Sequence, residues 1–140
     1  MQAIRRPAVA GQFYPASPDA LRAMVHNFLR RADEKIDAET DDGIPYRIAG
    51  LIVPHAGYPY SGPTAAAGYA RLVRTVADVR RVLLIGPAHY VPVQGLAAPT
   101  TAAFATPLGD VALDREALDD LLQLPFVHLQ NDAHAPEHSL

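Results

Sequence analysis

Two aliphatic runs stand out from an otherwise mixed pattern of apolar and polar positions. The first, Ile48 to Val53, stops at Pro54 and is followed at once by His55; the second, Val82 to Ile85, ends in Gly86-Pro87-Ala88-His89. Short runs of this kind, nearly unbroken by polar groups, predict parallel strands covered on both faces. Proline lacks a ladder N–H and so marks the end of the first run. Between them Ser61 reads as an N-cap, with Gly62 and Pro63 in the first turn of a helix running toward Val76. Its early residues Ala65, Ala66 and Ala67 are small enough to lie close against a sheet. Strand, helix and strand together predict a right-handed βαβ unit. Both histidines then emerge at the carboxyl ends of neighbouring strands, where open α/β sheets place their ligands.

The remaining pattern fills in around this unit. Residues 1 to 16 look irregular, with Val9, Phe13 and Tyr14 packing down onto the domain. Ser17-Pro18-Asp19 is a helix start, and the helix is predicted to about Ala32. Leu21, Met24, Val25, Phe28 and Leu29 share its apolar face, whereas Arg22, His26 and Arg30 share the polar one, so His26 reads as a solvated surface group. Asp33 to Asp42 is rich in acids, lacks calcium-loop spacing and reads as a surface connection broken by Gly43 and Pro45. Leu96 to Ala103 fits a strand or an extended connection. A turn at Thr106 to Asp110 precedes a short strand, Val111 to Leu113. Asp114 then caps a helix that buries Leu118, Leu121 and Leu122. Leu124 to Leu129 suggests another strand, and Asn131 to Leu140 the entrance to a further helix with Pro136 near its first turn.

The totals narrow the class. At 140 residues, 49% hydrophobic and 19% charged, the chain is expected to form a single α/β domain over residues 1–140. A formal charge of −3 gives no basis for a general nucleic-acid or acidic-membrane surface. No run has transmembrane length and the N-terminus lacks the apolar core of a signal peptide, which points to a cytoplasmic location. With no cysteine, the chain contains no disulfide, thiol nucleophile or thiolate metal ligand.

The sharpest chemical inference concerns His55 and His89. On parallel neighbouring strands roughly 4.8 Å apart, two imidazoles could share one metal at roughly 2.0–2.1 Å from each nitrogen. The alternative is that each only hydrogen-bonds a loop. Two imidazoles do not complete a site, and Asp110, Asp114, Glu137 and His138 are all available as further ligands. His134 to His138, HAPEH, matches the H-x-x-E-H peptidase pattern, but Pro136 fits a first turn and leaves His134 outside the helix, which argues against that activity. Glu137 and His138 remain candidates for supporting or acid–base roles, beside the simpler reading as a helix-start acid and a surface group. Tyr58 and Tyr60 flank Pro59, and either line a pocket for an aromatic or phenolic ligand or pack as loop residues.

Taken in order, RRPAVAGQFYP, VPHAGYPYSG, LLIGPAHYVP, TPLGDVALD and HAPEHSL resemble the Memo-like family, known in bacteria as AmmeMemoRadiSam system protein B, over nearly the whole chain. The resemblance implies a three-layer αβα fold with a mostly parallel central sheet, similar to class III extradiol dioxygenases. It implies that His55 and His89 contribute to a metal site for iron or copper, with zinc possible, and that Glu137, His138 and Ser139 lie near it. Family members extend well past the equivalent of Leu140 and supply another ligand, commonly a cysteine, from that later half; on this basis the chain is expected to be the N-terminal part of a longer domain, with an incomplete sheet and little activity alone. Two functions follow from the resemblance. One is a metal-dependent, dioxygenase-like redox protein acting on a small molecule. The other is a non-catalytic adaptor binding a small-molecule or peptide ligand in the same pocket, with AMMECR-type and radical SAM proteins as partners.

Overall fold

Apolar side chains three and four residues apart bring two long helices together. Helix α1 spans Pro18–Ala38 and α2 spans Tyr58–Thr75. In this computed structural model, which describes residues 3–38, 48–75 and 79–140, both helices belong to one of two compact units, Gly11–Val82. Ala32 of α1 and Ala66 and Ala70 of α2 are buried against one another, with Phe28, Leu29 and Ile36 packed around them. Small residues at the crossing let the two backbones approach. Gly62 is needed for the same reason: a Cβ there would sit 2.4 Å from Phe28 Cε2.

Helix α1 begins as the sequence predicts, with Ser17 Oγ accepting from the Ala20 N–H at 3.5 Å, and His26 is exposed. It continues past the expected end at Ala32. Ile36 extends the buried stripe, Arg30 pairs with Glu34 one turn on, and Asp33 meets Arg74 of α2 at 2.7 Å. Such half-exposed pairs contribute only about 0.2–1 kcal/mol each, so the apolar stripe is the main cause. The remainder of the acidic connection, from residue 39, lies outside the described residues, as does Val76.

Helix α2 starts ahead of the predicted cap. The Gly57 carbonyl accepts from the N–H groups of Tyr60 and Ser61 at 2.9 and 3.1 Å. Ser61 is therefore a buried residue inside the helix, and its hydroxyl donates to the Ala56 carbonyl at 2.6 Å. Phe13 and Tyr14 pack down as expected: the Phe13 carbonyl accepts from the Tyr58 N–H at 2.8 Å, and the Tyr14 and Tyr58 rings are 5.4 Å apart.

The second unit comprises residues Met1–Ala10 and Leu83–Leu140. It contains β1 (Ile4–Arg5), β2 (Leu96–Ala98), β3 (Ala103–Thr106), β4 (Gly109–Ala112), helix α3 (Arg115–Leu121) and β5 (Val127–Leu129), followed by a short 3-10 turn, Asn131–Ala133. Strands β1, β3 and β4 form one sheet and β2 and β5 another. β1 runs parallel to β3 and β2 parallel to β5, whereas β3 and β4 are an antiparallel hairpin closed by Pro107 and Leu108. Asp114 caps α3 as predicted, its Oδ1 accepting from the Ala117 N–H at 3.1 Å. Leu118, Leu121 and Leu122 are only half-buried.

The mixed α/β content, with parallel pairing in both sheets, agrees with the αβα class expected from the sequence. The strands that carry it are not the two aliphatic runs. Neither Ile48 to Val53 nor Val82 to Ile85 forms a ladder among the described residues; Ile52 is fully exposed, and Val82, Leu83, Leu84 and Ile85 remain 59–76% exposed. An aliphatic run specifies a need for cover, but a strand also needs a neighbour presenting matching N–H and C=O groups. The predicted βαβ unit is therefore not formed by these residues. Nor does Asn131 to Leu140 open a longer helix: its 3-10 turn ends at Ala133, before Pro136.

The Gly62–Phe28 contact gives a double-mutant test. Gly62→Ala should destabilise the chain by about 1 kcal/mol or more through overpacking. In a Phe28→Ala background the same change should stabilise it by up to about 1 kcal/mol, because helix propensity alone remains. Denaturant unfolding of the four proteins measures the sign reversal.

Candidate metal centre

Within the sheet unit, the loop from Gly86 to His89 docks against the segment from Glu137 to Leu140. Gly86 permits the approach, since a Cβ there would lie 2.5 Å from Ser139 Oγ. The Ser139 hydroxyl donates to the Pro87 carbonyl at 2.8 Å. Between the two segments sits the Glu137 carboxylate, with the residue only 3% exposed.

A buried carboxylate requires donors, and this one has four. Oε2 accepts from the His89 backbone N–H at 2.6 Å; Oε1 lies 2.8 Å from His89 Nδ1 and accepts from the N–H groups of His138 and Ser139 at 2.7 and 2.9 Å. Burial by itself would raise the pKa of Glu137. The His89 N–H and ring, with the Ser139 and His138 N–H groups, outweigh it and hold the carboxyl well below the usual carboxylate range. Glu137 is therefore ionised and can only accept. This assigns the proton of a neutral His89 ring to Nδ1 and its lone pair to Nε2.

His138 extends the arrangement. Its ring stacks on that of His89, with centroids 4.4 Å apart and planes 22° from parallel, and its Nδ1 is 3.4 Å from Glu137 Oε1. Tyr90 presents an edge to both rings, at 6.4 and 5.9 Å. His55 lies in the helical unit, exposed and three residues before α2. Within the sheet unit, His89 and His138 each offer one ring nitrogen to a metal ion. Neutral imidazole suits zinc, copper, iron and nickel. A carboxylate behind a ligating histidine is the usual device for fixing its tautomer, so this donor set fits such a metal.

The other sequence candidates take different places. His134 is buried, its Nε2 is 3.1 Å from the Ala97 carbonyl and its ring meets Phe104 edge-on at 5.7 Å. Burial lowers its pKa, with Arg5 adding to the effect. It is a neutral structural group, and the H-x-x-E-H pattern is not on a helix, as Pro136 leads one to expect. Asp114 serves as the α3 cap, and Asp110 is exposed in β4. Tyr58 is half-buried, with its pKa pushed up by burial and by Tyr14 and Tyr69; Tyr60 is 85% exposed. The sequence had offered His138 only as one of several possible third ligands. Its separation from His89, 49 positions along the chain, gave no signal of stacking.

A profile described as Memo-like protein matches residues 5–140. The chain belongs to the Memo-like family. It is similar to MEMO1 family proteins of Methanopyrus kandleri, 42% identical over 97% of this chain and 48% of that protein, and of Methanocaldococcus jannaschii, 38% identical over 100% and 49%. A relative from Nitrosopumilus maritimus is 33% identical over 98% of this chain and 48% of its own length. The chain thus spans about half the length of these Memo-like relatives. Among the described residues, no helix is long and apolar enough to cross a membrane.

Removing the carboxylate tests this site without any ligand. Glu137→Ala should cost about 3 kcal/mol or more, because buried N–H groups lose their acceptor. Glu137→Gln should cost less, since one oxygen remains. A depressed folded pKa contributes stability that is complete above the unfolded value, near 4.5, and is lost as pH falls below it. The stability gap between the parent and Glu137→Gln should therefore be widest above pH 4.5 and narrow on acidification, as read by urea unfolding across pH.

Proposed function

We propose that this Memo-like chain forms part of a metal-binding redox protein, dioxygenase-like in chemistry, in which His55, His89 and His138 hold iron or copper. Zinc would fit the same nitrogens. The observation that carries this reading is the Glu137–His89 contact at 2.8 Å beside the stacked His138 ring: it fixes a tautomer, which a surface histidine does not require. When bound, iron would supply open coordination positions for a substrate and oxygen. The chain's own groups do the rest. Glu137 keeps the His89 proton on Nδ1 and increases the basicity of Nε2; Tyr90 limits how far both rings can turn; Tyr58 and Tyr60 provide aromatic surface for a phenolic or peptide ligand.

A second reading, an adaptor that binds a ligand without turnover, is favoured by the exposure of Tyr60 next to Pro59. A cytoplasmic setting and AMMECR-type or radical SAM partners belong to either version.

Anaerobic titration with Fe(II), Cu(II) and Zn(II), followed by metal analysis, separates the possibilities. One ion per chain is expected, with affinity lowered more than about tenfold in His55→Ala, His89→Ala and His138→Ala. Unchanged affinity in all three variants would refute the shared site. Metal binding without oxygen consumption in the presence of catechols would favour the adaptor.

A further inference from the structure

The segment carrying Glu137 and His138 forms no regular helix or ladder; the His134 carbonyl accepts from the Glu137 N–H at 3.2 Å, and further donors to its main-chain oxygens come from elsewhere in the chain. Arg5, at the other end of the sequence, supplies them. Its Nε donates to the His134 carbonyl at 2.9 Å, Nη2 to the Glu137 carbonyl and Nη1 to the main-chain oxygen of Leu140 at 3.4 Å. These acceptors recur every third residue, so one planar guanidinium gathers the whole turn. The cation is itself held in place. Arg5 pairs with Phe104 across β1 and β3, and its Cζ lies 4.8 Å over that ring. Phe104 also takes the edge of the His134 ring.

The geometry points to Arg5 as the positioning residue of the metal centre, an assignment that rests on the metal-binding reading above. The Arg5 guanidinium donates to main-chain oxygens of the segment that carries Glu137 and His138. It acts through the Glu137 main chain: with that carbonyl anchored on Arg5, the carboxylate of the same residue is presented to His89, and His138 follows at the next position. A lysine cannot reproduce this role, because a point ammonium has no planar fork for three separated acceptors.

The test uses the 140-residue chain with ¹⁵N-labelled histidine, as the parent, Arg5→Met and Arg5→Lys. In the metal-free parent, His89 should show a protonated, hydrogen-bonded Nδ1. Arg5→Met, still cooperatively folded by circular dichroism, should lose that signature and bind Co(II) about 10–100-fold more weakly, with Arg5→Lys intermediate. If Arg5→Met does not fold, the same comparison is made with Arg5→Lys. A folded variant with the parent's His89 signature and Co(II) affinity overturns the assignment, as does absence of the signature from the parent. An Arg5-dependent signature in a parent that binds no Co(II) supports the positioning role and instead defeats the metal reading.

Discussion

A single buried carboxylate sets the terms for the sheet unit. Removing an ionised group from water costs several kcal/mol unless donors surround it. Glu137 meets that condition only when the loop at His89 and the turn through Ser139 are both in place, because its four partners come from those two segments. Its position therefore fixes the loop path, the His89 tautomer and the stacking of His138 together. Local stability and the orientation of both imidazoles therefore draw on the same contacts.

The helical unit fixes its own candidate by simpler means. His55 precedes a turn tied down twice, by the Ser61 hydroxyl on the Ala56 carbonyl and by the Tyr58 N–H on the Phe13 carbonyl. Behind the turn, small residues on α2 let α1 approach closely, giving a firm base to an exposed imidazole. This placement follows from backbone hydrogen bonds and close packing, without any buried charge.

What could be foreseen from the sequence divides along physical lines. Local signals were readable: Ser17 and Asp114 as caps, the apolar face of α1, the turn before β4, and Pro136 as an obstacle to a helical H-x-x-E-H site all depend on near neighbours. The family was readable too, from five motifs in order. Strand formation by the two aliphatic runs was not, since apolar pattern reports the need for burial and says nothing about which segment supplies a ladder. The Arg5 clamp and the His89–His138 stack join positions 129 to 135 and 49 apart, and no periodicity encodes such pairs. Ser61 was misplaced for a local reason: Ser-Gly-Pro resembles a helix start, while the Gly57 carbonyl had already opened the helix.

The central claim is that imidazoles, arranged around a carboxylate-fixed His89, are the ligands of one ion. X-ray absorption at the zinc edge of the Zn(II)-loaded chain addresses it most directly, because imidazole rings give a multiple-scattering pattern that water and carboxylate do not. The account predicts three imidazoles in the first shell, with Zn–N distances of about 2.0–2.1 Å. A shell of oxygen atoms with fewer than three imidazoles would contradict it.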